Sequence, residues 1–248
     1  MISWEPSAFG LLLVLFRCTS LMMTAPIIGM NVVPGRIRMG LSVLVSFIAY
    51  QAAGAPRFEA WDHMMPLLSA AATELIIGLS AGLASKFTIE AAGAAGHAAG
   101  LSMGLGFSAI VDPIHGQEST ALSQMLIFVT VGAAVTLGVH RDAIAWLCRS
   151  VIETPPGTPM HVQQLAGVVI GEAARSVSLS IRLAFPVMAA VLFGYVGAGM
   201  LSRTAPQLKI ESIGFGVAMF CGGCALYYIS PVFAEVVARQ AHTFFVEN

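Results

Sequence analysis

Between Ala121 and Val139 the chain runs nineteen residues without an Asp, Glu, Lys or Arg. That is close to the roughly 20 residues an α-helix needs to cross bilayer hydrocarbon. No other feature restricts the fold as strongly, because in lipid every backbone N–H and C=O must find an internal partner. Further apolar stretches occur at Ala8–Met30, Ile37–Ala53, Met64–Ala84, Phe87–Val111, Leu165–Met200 and Ile210–Ser230, and Pro231–Asn248 reads as a short amphipathic tail. Composition agrees. Charged residues make up 10% of the chain, against about 25% in soluble domains, and the mean hydropathy is +0.82. The expected fold class is an all-α integral membrane protein. No Lys or Arg precedes the first apolar run and no small-residue cleavage site follows it, so that segment is expected to stay.

Loop charges give a first topology. Arg36 and Arg38 mark the first connection as cytoplasmic, and Arg203 with Lys209 do the same near the end. Arg57, Glu59 and Asp62 suit the outside. Lys86 then falls inside and Asp112 to Glu118 outside. The scheme strains after His140-Arg141-Asp142, because Ala143–Ile152 is too short to cross before Pro155-Pro156-Gly157. A simple up-and-down bundle fits poorly.

Ionisable groups stand at nominal membrane depth: Arg17, Glu74, Glu90, His97, Glu172, Arg175 and Arg182. Each is costly in lipid, so such groups face protein or a water-filled cavity. Lys86 and Glu90, four apart, and Glu172 and Arg175, three apart, each share a helix face. Snorkelling to the interface is the competing reading for Lys86 and Arg17. Gly93, His97, Gly100 and Gly104 lie on one face, where small residues admit a neighbouring backbone. Glu90 is the one carboxylate on the His97 face, which gives no basis for a proton relay. Thr24-Ala25-Pro26 is echoed by Thr204-Ala205-Pro206, each beside a basic loop.

Several functions are excluded. A net charge of −1 leaves no basic patch for nucleic acid. The histidines, at 63, 97, 115, 140, 161 and 242, have no ligand-type spacing, so neither metal nor cofactor is expected. There is no P-loop and no GxSxG elbow. Cys221-Gly-Gly-Cys224 lies inside an apolar helix and reads as a close-packing feature rather than a redox motif. The chain is not read as an enzyme. A transporter or channel and a subunit of a larger assembly stay open.

One stretch asks for more. "GLSMGLGFSAIVDPIHGQES", residues 100–119, begins as a glycine-lined membrane helix that Asp112-Pro113 is expected to stop. From its residues alone it is either an ordinary exposed turn or a non-helical segment at depth.

Four stretches together resemble the flagellar biosynthetic protein FliR family, export-gate subunits of type III secretion. They are "FRCTSLMMTAPIIGMNVVPGRIRMGL" (16–41), with Arg17, Pro26 and Pro34; the stretch just quoted; "GVHRDAIAWLCRSVIETPPG" (138–157); and "LSRTAPQLKIESIGFG" (201–216), with Arg203, Pro206 and Gln207. Ser102 and Lys209-Ile210-Glu211 depart from the family pattern. The T subunit of virulence injectisomes is a close relative and the alternative reading within the same class.

The resemblance implies helical hairpins built for an export gate in the bacterial inner membrane, at the flagellar basal body. Its partners would be FliP and FliQ, with FlhB and FlhA, around unfolded export substrates. Residues 1–160 would be the FliP-like part and 161–248 the FliQ-like hairpin and tail. The loop after the glycine-rich helix would plug the closed channel: residues 104–120, with Gly104, Gly106, Phe107, Ile110, Val111, Asp112, Pro113, Ile114 and Gly116. Gly93, His97 and Gly100 would pack its helix, and Arg17, Pro26, Arg203, Pro206 and Gln207 would be structural or partner contacts. An independent secondary transporter with broken helices is the alternative from another class.

Overall fold

The computed structural model describes residues 4–26, 29, 33–58, 64–106, 120–158, 162–204 and 210–247. Among them all regular structure is helical: α1 Trp4–Thr24, α2 Gly35–Ala52, α3 Met64–Ser102, α4 Ala121–Leu137, α5 Val139–Glu153, α6 Val162–Thr204 and α7 Ile210–Glu247. Four of these are long and apolar enough to cross a membrane, or five crossings if the bent pair α4–α5 is one span. The chain is an all-α integral membrane protein.

Three boundaries differ from those read in the sequence. Met64–Ala84 and Phe87–Val111 are parts of α3, a single helix of 39 residues as far as Ser102. Nothing at the expected join breaks a helix: the Ser85 hydroxyl bonds back to the Gly82 carbonyl at 2.9 Å, and Lys86 points outward. The tail after Pro231 continues α7 instead of starting anew. An interior proline costs about 3 kcal/mol. Here the next turns bury Phe233, Val237, Ala238, Ala241 and Phe245, and that packing holds the helix together. Third, Ala121–Val139 stops at Leu137. Gly138 takes φ 84°, and α5 leaves at 60° to α4.

Two compact units divide the chain: residues 1–88, 134–174 and 240–248 form unit 1, and residues 89–133 and 175–239 form unit 2. In unit 1, Val14, Cys18, Leu21 and Met22 of α1 pack with Val45, Ala49 and Tyr50 of α2, Ala81 of α3, and Leu147 and Val151 of α5. The Tyr50 hydroxyl donates to the Ser7 carbonyl at 3.0 Å. The tail of α7 is stitched to α5 in the same unit: His242 Nδ1 lies 2.6 Å from Asp142 Oδ2, and Arg149 donates to the Phe245 carbonyl at 2.5 Å. The exposed carbonyls that end a helix favour such a cation.

In unit 2, Ala92 and Ala95 of α3 pack with Leu126 of α4, Leu183 and Ala184 of α6, and Phe233 and Val237 of α7. A second layer joins Ala99, Met103, Val187, Val191 and Ala218.

Where α3 passes α1 in unit 1, Gly78 and Gly82 face it. A Cβ at Gly78 would overlap the Arg17 carbonyl oxygen and the Ser20 hydroxyl, and one at Gly82 would overlap the Thr24 hydroxyl. This is a GxxxG contact, which lets backbones approach closely where lipid supplies no hydrophobic drive. Gly78→Leu is expected to force α3 off α1 and cost at least the ~1–3 kcal/mol of an overpacked core. Gly167→Ala, with nothing within 4 Å of the new methyl, should leave the yield of folded protein in detergent unchanged, and that contrast is the check.

Candidate functional site: a capped helix end and a buried ion pair

The described part of the expected plug shows where the glycine-rich helix stops. Gly104 takes φ 82°. Its N–H reaches the Leu101 carbonyl at 3.0 Å, and the Leu105 N–H reaches the Gly100 carbonyl at 2.9 Å. That pair of bonds is a Schellman motif, with the glycine in the left-handed position that side chains avoid. The helix is therefore ended by Gly104, eight residues before Asp112-Pro113, and the stop attributed to Pro113 is corrected. The glycine cap satisfies the last carbonyls first. Gly106 stands close under the Leu101 side chain, and a Cβ at Gly104 would meet the Phe215 ring at 3.2 Å. Phe107, Ile110, Val111, Asp112, Pro113, Ile114 and Gly116 lie outside the described residues.

Upstream, the same helix presents small residues to α4. A Cβ at Gly93 would come 2.6 Å from Ile127 Cδ1, one at Gly96 2.9 Å from the Ser123 Cα, and one at Gly100 2.8 Å from the Thr120 hydroxyl. The Ser123 hydroxyl donates across to the Gly93 carbonyl at 2.8 Å. Gly96 completes this face and was not singled out in the sequence. His97 is half-buried.

The buried polar centre of unit 1 lies elsewhere. Arg17 and Glu74 are each 1% exposed, and Arg17 Nε donates to Glu74 Oε2 at 2.5 Å. The rest of the guanidinium closes the C-terminal end of α5. Nη1 donates to the Ser150 carbonyl at 2.8 Å, the Ser150 hydroxyl at 2.9 Å and the Thr154 hydroxyl at 3.1 Å. Nη2 donates to the Thr154 carbonyl at 3.0 Å. Glu74 Oε1 accepts the Gly157 N–H at 3.1 Å. Pro155-Pro156-Gly157-Thr158 forms a turn closed by Thr158 N–H to Pro155 C=O at 3.2 Å, with Gly157 at φ 86° where a type II turn requires glycine.

One arginine thus ties α1 to α3 and to the end of α5, with its charge paired and a partner on each of its three nitrogens. Such a pair is neutral in sum but costly to break from one side. Arg17 is not a snorkelling residue, and Glu74 supplies the partner its depth demanded. Pro26 is buried in the turn after α1. Arg203 is exposed in the last turn of α6, while Pro206 and Gln207 lie outside the described residues. Lys86, Glu90 and Arg182 are exposed. Among the described residues no three His, Cys, Asp or Glu side chains converge as a metal site would require, and all four cysteines are free thiols.

An apolar helical chain with a buried ion pair and a glycine-capped helix end is open to several families. The model of one family, described as "Bacterial export proteins, family 1", matches residues 8–244. The chain belongs to that family. Curated relatives of the chain are flagellar biosynthetic proteins FliR. That of Escherichia coli (strain K12) is 29% identical over 229 residues, covering 89% of this chain and 84% of the relative. That of Pectobacterium carotovorum subsp. carotovorum is 26% identical over 244 residues, 95% of this chain and 89% of the relative. The Bacillus subtilis (strain 168) protein is 24% identical over 207 residues, 82% and 79% of the two chains. Membership of the export family spans both compact units, so the ion pair of unit 1 and the helix end of unit 2 belong to one export-family chain.

Proposed function

We propose that this chain is a core subunit of the flagellar type III protein export gate in the bacterial inner membrane. With FliP-type and FliQ-type subunits it forms the channel through which unfolded flagellar proteins leave, and it works beside FlhB and FlhA at the basal body. The observation that carries this reading is the match to an export family over residues 8–244, together with relatives named FliR. The protein acts as a structural component and not as an enzyme. In this reading residues 1–160 are the FliP-like part and residues 161–248 the FliQ-like hairpin.

The geometry agrees with the role. α2 carries a run of exposed apolar side chains, Ile37, Met39, Val43, Leu44, Phe47 and Ile48, which neighbouring subunits would cover. In this reading the segment after Gly104 is the plug, and it follows directly on the glycine cap of α3. Arg203, Pro206 and Gln207 contact a partner subunit.

Purification separates this from an independent transporter. The tagged full chain should be recovered in quantity only when FliP-type and FliQ-type subunits are co-expressed, and should bring them with it. Arg203→Ala should lower that recovery. A stable, partner-free chain in good yield would contradict the gate reading.

A further inference from the structure

The chain leaves α3 and rejoins α4 at one place in unit 2. On the return side Thr120 is buried, and its hydroxyl accepts the Ser123 N–H at 3.2 Å. It therefore caps α4, as a threonine just before a helix does. A Cβ added to Gly100 would stand 2.8 Å from the same hydroxyl. The start of α4 thus lies against α3 four residues before Gly104, where a glycine leaves room for it.

On the outgoing side the chain is held from α6 and α7. Met103 packs with Val187 and Val191 of α6 and Ala218 of α7, and Leu105 packs against the same layer. Gly104 stands between them with no side chain of its own, and a glycine backbone can turn either way at little cost. The Phe215 ring of α7 takes up that freedom. Its Cδ2–Cε2 edge faces Gly104 so closely that an added Cβ would lie 3.2 Å from both atoms. The ring is 50% exposed and is no part of the buried layer around Met103. It borders the cap without filling the core.

We infer that Phe215 is a positioning residue for the segment that follows the cap. Its ring keeps Gly104 in the left-handed conformation, at φ 82°, in which the cap hydrogen bonds to the Gly100 and Leu101 carbonyls form. The ring thereby sets the direction in which the chain leaves α3, and the Thr120–Gly100 contact sets where it returns. This role rests on the gate reading, because the direction of the segment matters to export only if the segment closes a channel. Phe215→Ala removes no atom from the Met103 layer or from the cap hydrogen bonds. It opens space beside Gly104 and lets the chain leave α3 along more than one path.

Ion conductance across membranes that contain the assembled gate tests the role. Phe215→Ala should assemble in normal amount and leak small ions severalfold more than the unaltered gate, whereas Phe215→Tyr, which keeps the ring, should stay tight. Phe215→Leu keeps an apolar side chain without the flat edge, and is the variant to read if alanine lowers assembly. Placed in a chain that lacks residues 110–117, Phe215→Ala should raise the leak no further, since the segment it positions is already shortened. A tight Phe215→Ala gate beside a leaking deletion would overturn the inference and leave the gate reading standing. An added leak on top of the deletion would overturn it too, because the ring would then seal the channel by itself. Loss of the assembled gate with both the alanine and the leucine variant would also overturn it, by making the ring a packing residue. An ion-tight deletion would remove the gate reading, and the positioning role with it.

Discussion

Arg17→Ala should all but abolish recovery of folded protein, at a cost of about 3–5 kcal/mol, because it strands Glu74 as an unpaired buried charge. The same change uncovers the Ser150 and Thr154 carbonyls at the end of α5. Glu74→Ala should be comparably damaging for the opposite reason, leaving the guanidinium without its counter-ion. Arg17→Lys keeps the charge but loses the planar fork. An ammonium has three donors on one atom, whereas Glu74, Ser150 and Thr154 are reached here from three different nitrogens, so that variant should be only partly rescued. Arg17→Met combined with Glu74→Met should recover more protein than either single change, since removing both charges leaves no buried ion. Yield and melting temperature of the detergent-solubilised chain, co-expressed with its partners, give the double-mutant cycle. Additive losses would show that the two residues do not act as a pair.

Much of this centre was legible in the sequence and some was not. The sequence marks Arg17 and Glu74 as ionisable residues in apolar runs, and opposite charges at such depth must find partners. Their mutual pairing is a contact between residues 57 apart, which no helical spacing announces. The role of Ser150 and Thr154 was hidden because it depends on where α5 ends, and that follows from the turn at Pro155–Thr158. The GxxxG at Gly78 and Gly82 was written plainly in the chain, but its weight appears only when α1 lies against it. Helix joins were misjudged where local signals lost to packing. Lys86 did not break α3, and Pro231 did not end α7, since buried side chains on the following turns outweigh one missing hydrogen bond. At Gly104 a local signal did decide. Glycine in the left-handed conformation ended the helix before the more conspicuous proline was reached.

The second large effect concerns the segment after that cap. Its residues 107–119 are apolar at Phe107, Ile110, Val111 and Ile114 and polar beyond. In the gate reading these apolar side chains close the channel by keeping it dry, so their removal should let ions through even when no protein is in transit. Shortening the segment removes no residue of α3, of its Gly104 cap or of the α3–α4 contact at Gly93, Gly96 and Gly100. Assembly should therefore survive the deletion, and the defect should be one of sealing.

The most direct measurement is ion conductance across membranes that contain the assembled gate with residues 110–117 deleted from this chain. The gate reading predicts an intact complex and a leak to small ions well above that of the unaltered assembly. An ion-tight membrane with normal export by the deleted form would contradict it.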